Sequence, residues 1–325
     1  MKITILDDWF DTLRDLPCFA KLEGLDVTVW TDHMQETGAL VERLQDTDIL
    51  VLFRERTKIT SALLDRLPNL KVISQRGVYP HVDVEACTRN GVLLCSKQPQ
   101  GGAPNFAAAE LTWGLIIAAM RQIPQQMAST KQGKWQIGVG KTLHGRTLGL
   151  YGYGRIAKVV SHYAEAFGMK VVWWSSLAGR DRALQDGQAV AKNREAFFSE
   201  SDVVSVHLRL KPETKGIITR DDLMGMRKDA VFVNTSRAGL IEPGALLDAL
   251  NAGTPGTAAI DVFDTEPLTD PDDPLLCHPN LICTPHIGFV TEDEFDHQFA
   301  DIFDQIVAYL DGSPMHMINP EALNV

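Results

Sequence analysis

The chain has 325 residues, of which 45% are hydrophobic, and a formal net charge of −11 at pH 7. This length is enough for two domains of ordinary size, and the acidic balance argues against a broad nucleic-acid-binding surface. The five cysteines are scattered without metal-ligand spacing, which favours reduced thiols and predicts no metal site. The longest apolar run, residues 111–120, is too short to cross a bilayer. Because a strand pattern begins directly after Met1, with no signal peptide, we expect a cytoplasmic protein.

The first third of the chain alternates short apolar strands with helical segments, which is the βαβ pattern of a parallel sheet. Strands are predicted at residues 2–6, 26–30, 49–53, 71–74 and 92–95, and helices at 38–44 and 61–67. The loop at 97–104, rich in Gly, Pro and Gln, is predicted to be a hinge. A single long apolar helix is predicted to follow at about 105–127.

The strand pattern then restarts. Strands are predicted at residues 148–151, 170–174, 203–207, 230–234, 257–262 and 281–283, with helices between them. These predict a second doubly wound parallel sheet. One more helix, at about 291–310, is expected to return to the first domain.

The most specific local motif is Leu-Gly-Leu-Tyr-Gly-Tyr-Gly-Arg-Ile-Ala at 148–157. It predicts a buried strand that runs into a glycine turn and then a helix. Gly152 and Gly154 allow the tight turn and let backbone N–H groups approach a pyrophosphate, while Ala157 takes the small position where the helix packs on the strand. A glycine turn without a ligand is the alternative, but the strand before it and the helical spacing after it favour a Rossmann dinucleotide site.

Three later strand ends carry groups suited to carbonyl chemistry. Arg237, Glu266 and His286 each follow a predicted strand, and ligands of doubly wound sheets bind at the carboxyl ends of strands. A protonated histidine can give a proton to a carbonyl oxygen, a carboxylate orients that histidine, and an arginine binds a substrate carboxylate and polarises the carbonyl. Each residue alone is more often structural. Together they predict hydride transfer to or from a 2-keto acid.

These motifs, with those at 233–239, 259–268 and 284–288, resemble the D-isomer-specific 2-hydroxyacid dehydrogenases in order and spacing over nearly the whole chain. The resemblance implies a catalytic trio of Arg237, Glu266 and His286, and an Asp261 that binds the nicotinamide amide. It also implies a homodimer formed through the nucleotide-binding domain. The predicted cofactor-binding residues are Gly152, Gly154, Arg155, Ile156, Ser175, Ser176, Arg180, His207, Arg209, Thr235, Ser236, Asp261 and Gly288.

The resulting expectation is an α/β fold of two doubly wound parallel-sheet domains. A Rossmann nucleotide-binding domain of residues 101–288 is inserted in a smaller flavodoxin-like substrate domain of residues 1–100 and 289–325. The expected activity is that of an NAD(P)-dependent D-2-hydroxyacid dehydrogenase, or 2-keto acid reductase. Its partners are a small-molecule substrate and a second copy of the chain, with neither nucleic acid nor membrane.

The substrate loop departs from the family pattern. The segment at 76–83, Arg-Gly-Val-Tyr-Pro-His-Val-Asp, is one residue shorter than the usual Gly-x-Gly-x-Asp-Asn loop with its following Asp. Gly77 and Val78 are expected to offer N–H groups to the substrate carboxylate, and Tyr79 and His81 to reshape the pocket. The sequence therefore does not identify the 2-keto acid that is the substrate. It also leaves open whether Trp135 reaches the active site of the partner subunit.

Arg54 follows the third predicted strand. It matches a position that contacts anionic substrate groups in phosphoglycerate-type relatives, so we assign it to the substrate site. The alternative is a surface ion pair with Glu55 or Asp48.

The cofactor type depends on the end of the strand at 170–174. Ser175 and Ser176 stand where an Asp or Glu would bind the adenosine ribose of NAD. Arg180 and Arg182 follow in what reads as a loop, and Arg209 takes the place of a Pro usual two residues after His207. Guanidinium groups suit a 2′-phosphate, so NADP is predicted over NAD, with solvated surface arginines as the alternative.

Two other functions share much of this pattern. A non-enzymatic dinucleotide-sensing regulatory protein of dehydrogenase fold would keep the fold and much of the site. A formate dehydrogenase is disfavoured because its relatives carry Gln where Glu266 stands.

Overall fold

The computed structural model describes residues 1–98 and 106–324 of the chain. The chain divides into two compact units, one of Met1–Gly102 with Thr291–Val325 and one of Ala103–Val290. Each unit is an α/β structure on a parallel sheet, which confirms the predicted fold class. The predicted hinge at 97–104 lies mainly outside the described residues. Within the described ranges, no helix has the length and apolarity needed to cross a membrane.

The first unit contains a five-stranded parallel sheet in the order β2-β1-β3-β4-β5. Its strands are β1 (Lys2–Ile5), β2 (Asp26–Val29), β3 (Ile49–Val51), β4 (Val72–Arg76) and β5 (Leu93–Lys97). The central strand β3 is fully buried because helices cover both faces of such a sheet. The carboxyl ends of β3 and β4 lead into the loops that carry Arg54 and Gly77.

Four helices pack on this sheet: α1 (Thr37–Leu44), α2 (Ser61–Leu64), α3 (Val84–Arg89) and α11 (Glu292–Leu310). Side-chain caps start α2 and α3, where Thr60 and Asp83 accept hydrogen bonds from helical N–H groups. The C-terminal helix α11 joins β4 through hydrogen bonds from the Gln305 amide to Ser74 Oγ and to the Gln75 carbonyl, each 3.0 Å.

The second unit contains a six-stranded parallel sheet in the order β11-β10-β9-β8-β6-β7. Its strands are β6 (Thr147–Tyr151), β7 (Lys170–Trp174), β8 (Val203–Val206), β9 (Val231–Asn234), β10 (Thr257–Ile260) and β11 (Leu281–Cys283). Its helices are α4 (Phe106–Arg121), α5 (Ile123–Lys131), α6 (Arg155–Ala166), α7 (Leu177–Gln185), α8 (Arg194–Glu200), α9 (Arg220–Met224) and α10 (Ala245–Ala252). The chain runs from β6 outward to β7 and then returns to place β8 on the other side. The crevice beyond the carboxyl ends of β6 and β8 is therefore the topological switch point, where such sheets bind ligands.

Two predicted helices end earlier than expected. The prediction of a single helix at about 105–127 is wrong. Instead, α4 ends at Arg121, Gln122 adopts a left-handed φ of 54°, and α5 begins at Ile123. Residue 105 lies outside the described residues. Pro124 in the first turn of α5 explains the break, since proline has no N–H for the helical ladder and disfavours helical geometry before it. The helix predicted at 61–67 ends at Leu64, shortly before Pro68.

Candidate active site

The glycine turn lies at the carboxyl end of β6. Gly152 has a left-handed φ of 116°, and its N–H donates to the Trp174 carbonyl at 2.8 Å. A Cβ at this position would lie 2.2 Å from the carbonyl oxygen of His207, so only glycine fits. At Gly154 a Cβ would meet no heavy atom within 4 Å, and no side chain caps the start of α6. This open space before uncapped helical N–H groups fits the pyrophosphate of a dinucleotide.

His207 follows β8 and faces the same turn. Its backbone N–H donates to the Tyr151 carbonyl at 2.8 Å, and its Nε2 lies 3.0 Å from Ser205 Oγ. Burial lowers the pKa of His207 to about 4, so the ring is neutral at pH 7. The backbone of His207 therefore fixes the turn, and its ring contributes no charge beside it.

Arg180 and Arg182, two of the predicted phosphate-binding arginines, lie in a helix, which corrects the expectation of a loop. Ser176 caps α7 by accepting a hydrogen bond from Gly179 N at 3.3 Å. Arg180 lies within α7, with its guanidinium carbon 4.3 Å from the centroid of the Trp174 ring. Arg182, on the same helix, and Arg209, after β8, are exposed. Arg180 is thus the arginine packed against the end of β7.

The turn after β9 presents Arg237. The buried Asn234 fixes this turn, because its side-chain amide donates to the Arg237 carbonyl at 2.9 Å and its oxygen accepts from Ser236 N at 3.0 Å. Ser236 Oγ donates to the Val206 carbonyl at 2.8 Å, and Thr235 Oγ1 lies 2.7 Å from Thr112 Oγ1 on α4. The Arg237 guanidinium is exposed and donates to the Ser236 carbonyl. Its charge is therefore presented at the strand ends.

His286 and Glu266 form a dyad beyond β10 and β11. Nδ1 of His286 lies 2.5 Å from Oε2 of Glu266, while Oε1 of Glu266 accepts a hydrogen bond from Phe263 N at 2.9 Å. Burial opposes ionisation of Glu266, but the hydrogen bonds from His286 and Phe263 and the charges of His286 and Arg237 outweigh it and lower its pKa below the usual value. Because Nδ1 faces the carboxylate, Nε2 is the nitrogen available for proton exchange.

The His286 loop is held by a fully buried carboxylate. Oδ1 of Asp261 accepts hydrogen bonds from Thr284 Oγ1 at 2.6 Å and from Ile287 N at 2.8 Å, and Oδ2 accepts from Gly288 N at 2.9 Å. His286 itself adopts a left-handed φ of 56°, which is uncommon for a residue other than glycine. Asp261 thus offsets the strain of this loop. Its contact with the nicotinamide amide stays a prediction.

Two further predicted cofactor residues lie at the start of α6. Arg155 is its first residue and Ile156 its second, directly after the glycine turn. Their backbone N–H groups belong to the uncapped helical start, so both lie where the pyrophosphate is expected. Their roles remain predictions.

In the first unit, the predicted role of the Gly77 amide needs correction. Its N–H donates to the Lys97 carbonyl at 3.0 Å, as a continuation of the β4–β5 ladder, and is therefore engaged. Val78 is exposed, and Tyr79 lines a groove of about 450 Å³. The groove is lined by Val78, Tyr79, Pro80, Val82, Val84 and Gln98. Four of these side chains are aliphatic or proline, which makes the wall mostly apolar.

Arg54 has a left-handed φ of 61° and lies in the loop after β3. Asp48, one of its alternative partners, is paired with Lys71 Nζ at 2.7 Å and with Lys2 N at 2.8 Å. The assignment of Arg54 to the substrate site stays a prediction.

His81 lies inside the first unit, and the groove lining given above does not include it. Both of its ring nitrogens are buried and make no hydrogen bond among the described residues. Burial lowers the pKa of His81 to about 4, against the opposing charge of Asp7. Its ring is consequently neutral at pH 7.

His81 and His207 together predict acid sensitivity. Each folded-state pKa lies near 4 rather than at the usual 6.5, so the unfolded chain takes up protons first as the pH falls. The free energy of unfolding should therefore decrease between pH 6.5 and 4, by about 1.4 kcal/mol per pH unit for each histidine. Urea unfolding across this range measures the slope. His207→Gln should flatten it, whereas the exposed control His162→Asn should not. An equal slope in wild type and His207→Gln would contradict the assignment.

Sequence reasoning missed several residues that position the site. Asn234 and Thr112 hold the Arg237 turn, and Asp186 contacts the glycine turn through Tyr153. Asn234 could have been noticed, because it immediately precedes the predicted turn. Thr112 and Asp186 lie far along the chain from their partners and carry no local signal.

Comparisons with known proteins identify the family to which this fold belongs. Residues 113–288 match the family described as D-isomer specific 2-hydroxyacid dehydrogenase, NAD binding domain. The D-3-phosphoglycerate dehydrogenase of Methanocaldococcus jannaschii is 37% identical over 276 residues, which cover 84% of this chain and 52% of that protein. The glyoxylate reductase of Aeropyrum pernix is 32% identical over 313 residues, covering 92% and 91%. A crystal structure of an oxidoreductase from Ralstonia solanacearum matches with a TM-score of 0.93 and 45% identity, covering 99% of this chain and 98% of that one.

The chain therefore belongs to the D-isomer-specific 2-hydroxyacid dehydrogenase family, and residues 113–288 match the NAD-binding domain of that family. It spans about half the length of the phosphoglycerate dehydrogenase from M. jannaschii.

Proposed function

We propose that this protein reduces a small 2-keto acid to the D-2-hydroxy acid with a reduced nicotinamide dinucleotide. The observation that carries the proposal is the His286–Glu266 dyad, 2.5 Å between Nδ1 and Oε2, on a loop held by the buried Asp261. A left-handed conformation costs free energy for a residue other than glycine, and residues of this kind cluster at functional sites. Three hydrogen bonds from Thr284, Ile287 and Gly288 to Asp261 hold the loop that carries His286.

The dinucleotide supplies the hydride to the carbonyl carbon when it is bound. His286 gives the proton from Nε2 to the carbonyl oxygen, and Glu266 stabilises the protonated ring and fixes its orientation. Arg237 binds the substrate carboxylate and polarises the carbonyl. In the oxidative direction Nε2 takes the hydroxyl proton back. These roles are supported by the placement of all three residues after neighbouring strands of one sheet.

The substrate is proposed from the named relatives and from the first unit. The names of the relatives include phosphoglycerate, whose phosphate would pair with Arg54, and glyoxylate, which has no side chain. The apolar wall of Val78, Tyr79 and Pro80 favours a substrate whose third and later carbons are apolar. Arg54 remains the proposed contact for an anionic group of the substrate, such as the phosphate of phosphoglycerate.

A homodimer formed through the second unit is proposed from its exposed apolar side chains. Ile123 and Met127 on α5 and Trp135, Ile137 and Val139 after it are all at least 39% exposed, with Val139 at 93%. A cluster of this kind is typical of a protein interface. The family resemblance favours a second copy of this chain as the partner, and a cytoplasmic location is proposed on the same basis.

NADP is proposed as the preferred cofactor. Ser175 and Ser176 replace the acid that repels a 2′-phosphate, and Arg180 is packed at the same strand end over Trp174. A guanidinium that stacks on an aromatic ring is held in place for phosphate binding. Arg209 is proposed as a second contact.

The test is a panel of 2-keto acids assayed with both reduced cofactors: glyoxylate, hydroxypyruvate, pyruvate, phenylpyruvate and 2-ketobutyrate. We expect turnover of at least one acid and a kcat/KM at least about tenfold higher with NADPH, as a charge-assisted phosphate contact gives. Arg180→Gln should reduce that preference and leave turnover with NADH unchanged. A clear preference of wild type for NADH would refute the cofactor assignment, and turnover of none of the acids would refute the reaction.

A further inference from the structure

Tyr153, which separates the two glycines of the turn, is anchored by its side chain. Its hydroxyl donates to Asp186 Oδ2 at 2.5 Å, and its ring packs edge-on against Trp173 with the centroids 4.7 Å apart. Only 8% of Tyr153 is exposed. The one residue of the Gly-Tyr-Gly turn that has a side chain is therefore fixed at both its ring and its hydroxyl.

Lys158 completes the same cluster from the first turns of α6. Its Nζ lies 2.9 Å from the Asp186 oxygen that accepts from Tyr153, and 4.3 Å from the centroid of the Tyr153 ring. Hydrogen bonds from Tyr153 and Lys158 lower the pKa of Asp186, so its carboxylate is charged at neutral pH. Asp186 directly follows α7, as its C-cap residue. One carboxylate thus ties the glycine turn and α6 to the far end of α7.

Trp173, which packs against the Tyr153 ring, is held by hydrogen bonds that do not involve the Asp186 side chain. Nε1 of Trp173 donates to Gln188 Oε1 at 3.1 Å, and the Trp173 N–H donates to the Ala189 carbonyl at 2.9 Å. On the other side, Gly152 is held by its hydrogen bond to the Trp174 carbonyl. Loss of the contact with Asp186 would free the Tyr153 hydroxyl while its surroundings keep their structure.

The contacts of Asp186 with Tyr153 and Lys158 are expected to affect ligand binding more than the free energy of folding. Asp186 and Lys158 are about half exposed, and exposed ion pairs contribute little to the free energy of folding. Glycines, in contrast, have wide backbone freedom, and ordering them on ligand binding costs free energy that a preorganised turn avoids. Loss of the contacts made by Asp186 should therefore lower the affinity for the dinucleotide.

We propose that Asp186 is a positioning residue that holds the pyrophosphate-binding turn in its binding conformation through Tyr153 and Lys158. It would act through Tyr153 and Lys158, its side-chain partners. The inference goes beyond the proposed function, because it concerns the affinity for the dinucleotide whichever acid is reduced. It also couples the glycine turn to α7, the helix whose first turn follows Ser175 and Ser176.

The test measures the Kd of NADH and of NADPH by calorimetry for Tyr153→Phe, Asp186→Asn and the double variant. Tyr153→Phe removes only the hydroxyl and leaves the Lys158–Asp186 pair in place. We expect each single variant to raise the Kd of both cofactors about threefold to tenfold, the effect of one hydrogen bond. The double variant should be no weaker than the weaker single variant, because both remove the same bond.

Two controls separate positioning from a general structural effect. Glu200→Gln breaks the exposed pair that Glu200 makes with Lys192 at 2.7 Å and should change neither Kd nor Tm. With an acid that the enzyme turns over, kcat at saturating cofactor should be unchanged in Tyr153→Phe while the KM for cofactor rises. An unchanged Kd in Tyr153→Phe would overturn the proposal, as would fully additive effects in the double variant. Since Tyr153→Phe decides the outcome by itself, poor folding of Asp186→Asn leaves the test intact.

Discussion

Replacement of His286 by asparagine should lower kcat by about 10²- to 10⁴-fold, the usual contribution of a general acid, while the Kd of the reduced cofactor stays within about twofold. The affinity should persist because the proposed dinucleotide-binding groups, the glycine turn and the start of α6, follow β6, whereas His286 follows β11. Asparagine is preferred to glutamine here because position 286 has a left-handed φ of 56°, a conformation that asparagine tolerates. Loss of turnover then reports loss of the proton donor rather than a distorted loop.

The control for this prediction is Glu266→Gln, which keeps the shape of the dyad and removes its charge. The pKa of Glu266 is lowered in the folded protein from its usual value of 4.5. Its carboxylate is therefore charged above pH 4.5 and loses this charge only as the pH falls through the lowered pKa. The variant lacks this charge at every pH, and its pH–rate profile should shift relative to wild type. Wild-type turnover by His286→Asn, or an unshifted profile in Glu266→Gln, would contradict the assigned roles.

Alanine at either glycine of the turn should weaken cofactor binding, but only Gly152→Ala should also lower the free energy of unfolding. In Gly152→Ala the new Cβ would lie 2.2 Å from the His207 carbonyl oxygen, in a backbone conformation with φ of 116°. Separating the two atoms would displace the end of β6 or of β8, so we expect a loss of about 2–4 kcal/mol in the free energy of unfolding together with loss of cofactor binding. Urea unfolding and calorimetric titration with NADPH measure the two effects.

Gly154→Ala is the matched variant. Its Cβ would meet no heavy atom within 4 Å, and its φ of −108° suits any residue. The variant should therefore fold with wild-type stability, but its methyl group would occupy the space assigned to the pyrophosphate and raise the Kd about tenfold or more. Wild-type affinity in Gly154→Ala would show that the dinucleotide binds elsewhere.

The parts of this site that the sequence could predict are those with local or periodic signals. The glycine turn at 148–157 stands between a strand and a helix, as its apolar spacing predicts. Arg237, Glu266 and His286 could be grouped because parallel strands end at one edge of a sheet. The structure brings His286 and Glu266 together at 2.5 Å and places Arg237 close enough to lower the pKa of Glu266.

The parts that could not be predicted depend on contacts between distant residues. The Thr112–Thr235 contact joins positions 123 residues apart, and Asp186 binds Tyr153 across 33 residues. No periodicity marks either pair. Gly77 shows a different limit, since the motif that suggested a free N–H gave no information on whether the β4–β5 ladder extends to include it.

The most direct test of the proposed reaction is to mix wild-type protein with a reduced cofactor and each 2-keto acid of the panel, following cofactor oxidation and the configuration of the product. The His286–Glu266 dyad predicts that at least one acid is converted, with one D-2-hydroxy acid formed for each cofactor oxidised, and that His286→Asn binds the cofactor without this conversion. Tight binding of the cofactor by wild type with no conversion of any acid would contradict the proposed reaction and favour a dinucleotide-sensing protein of dehydrogenase fold.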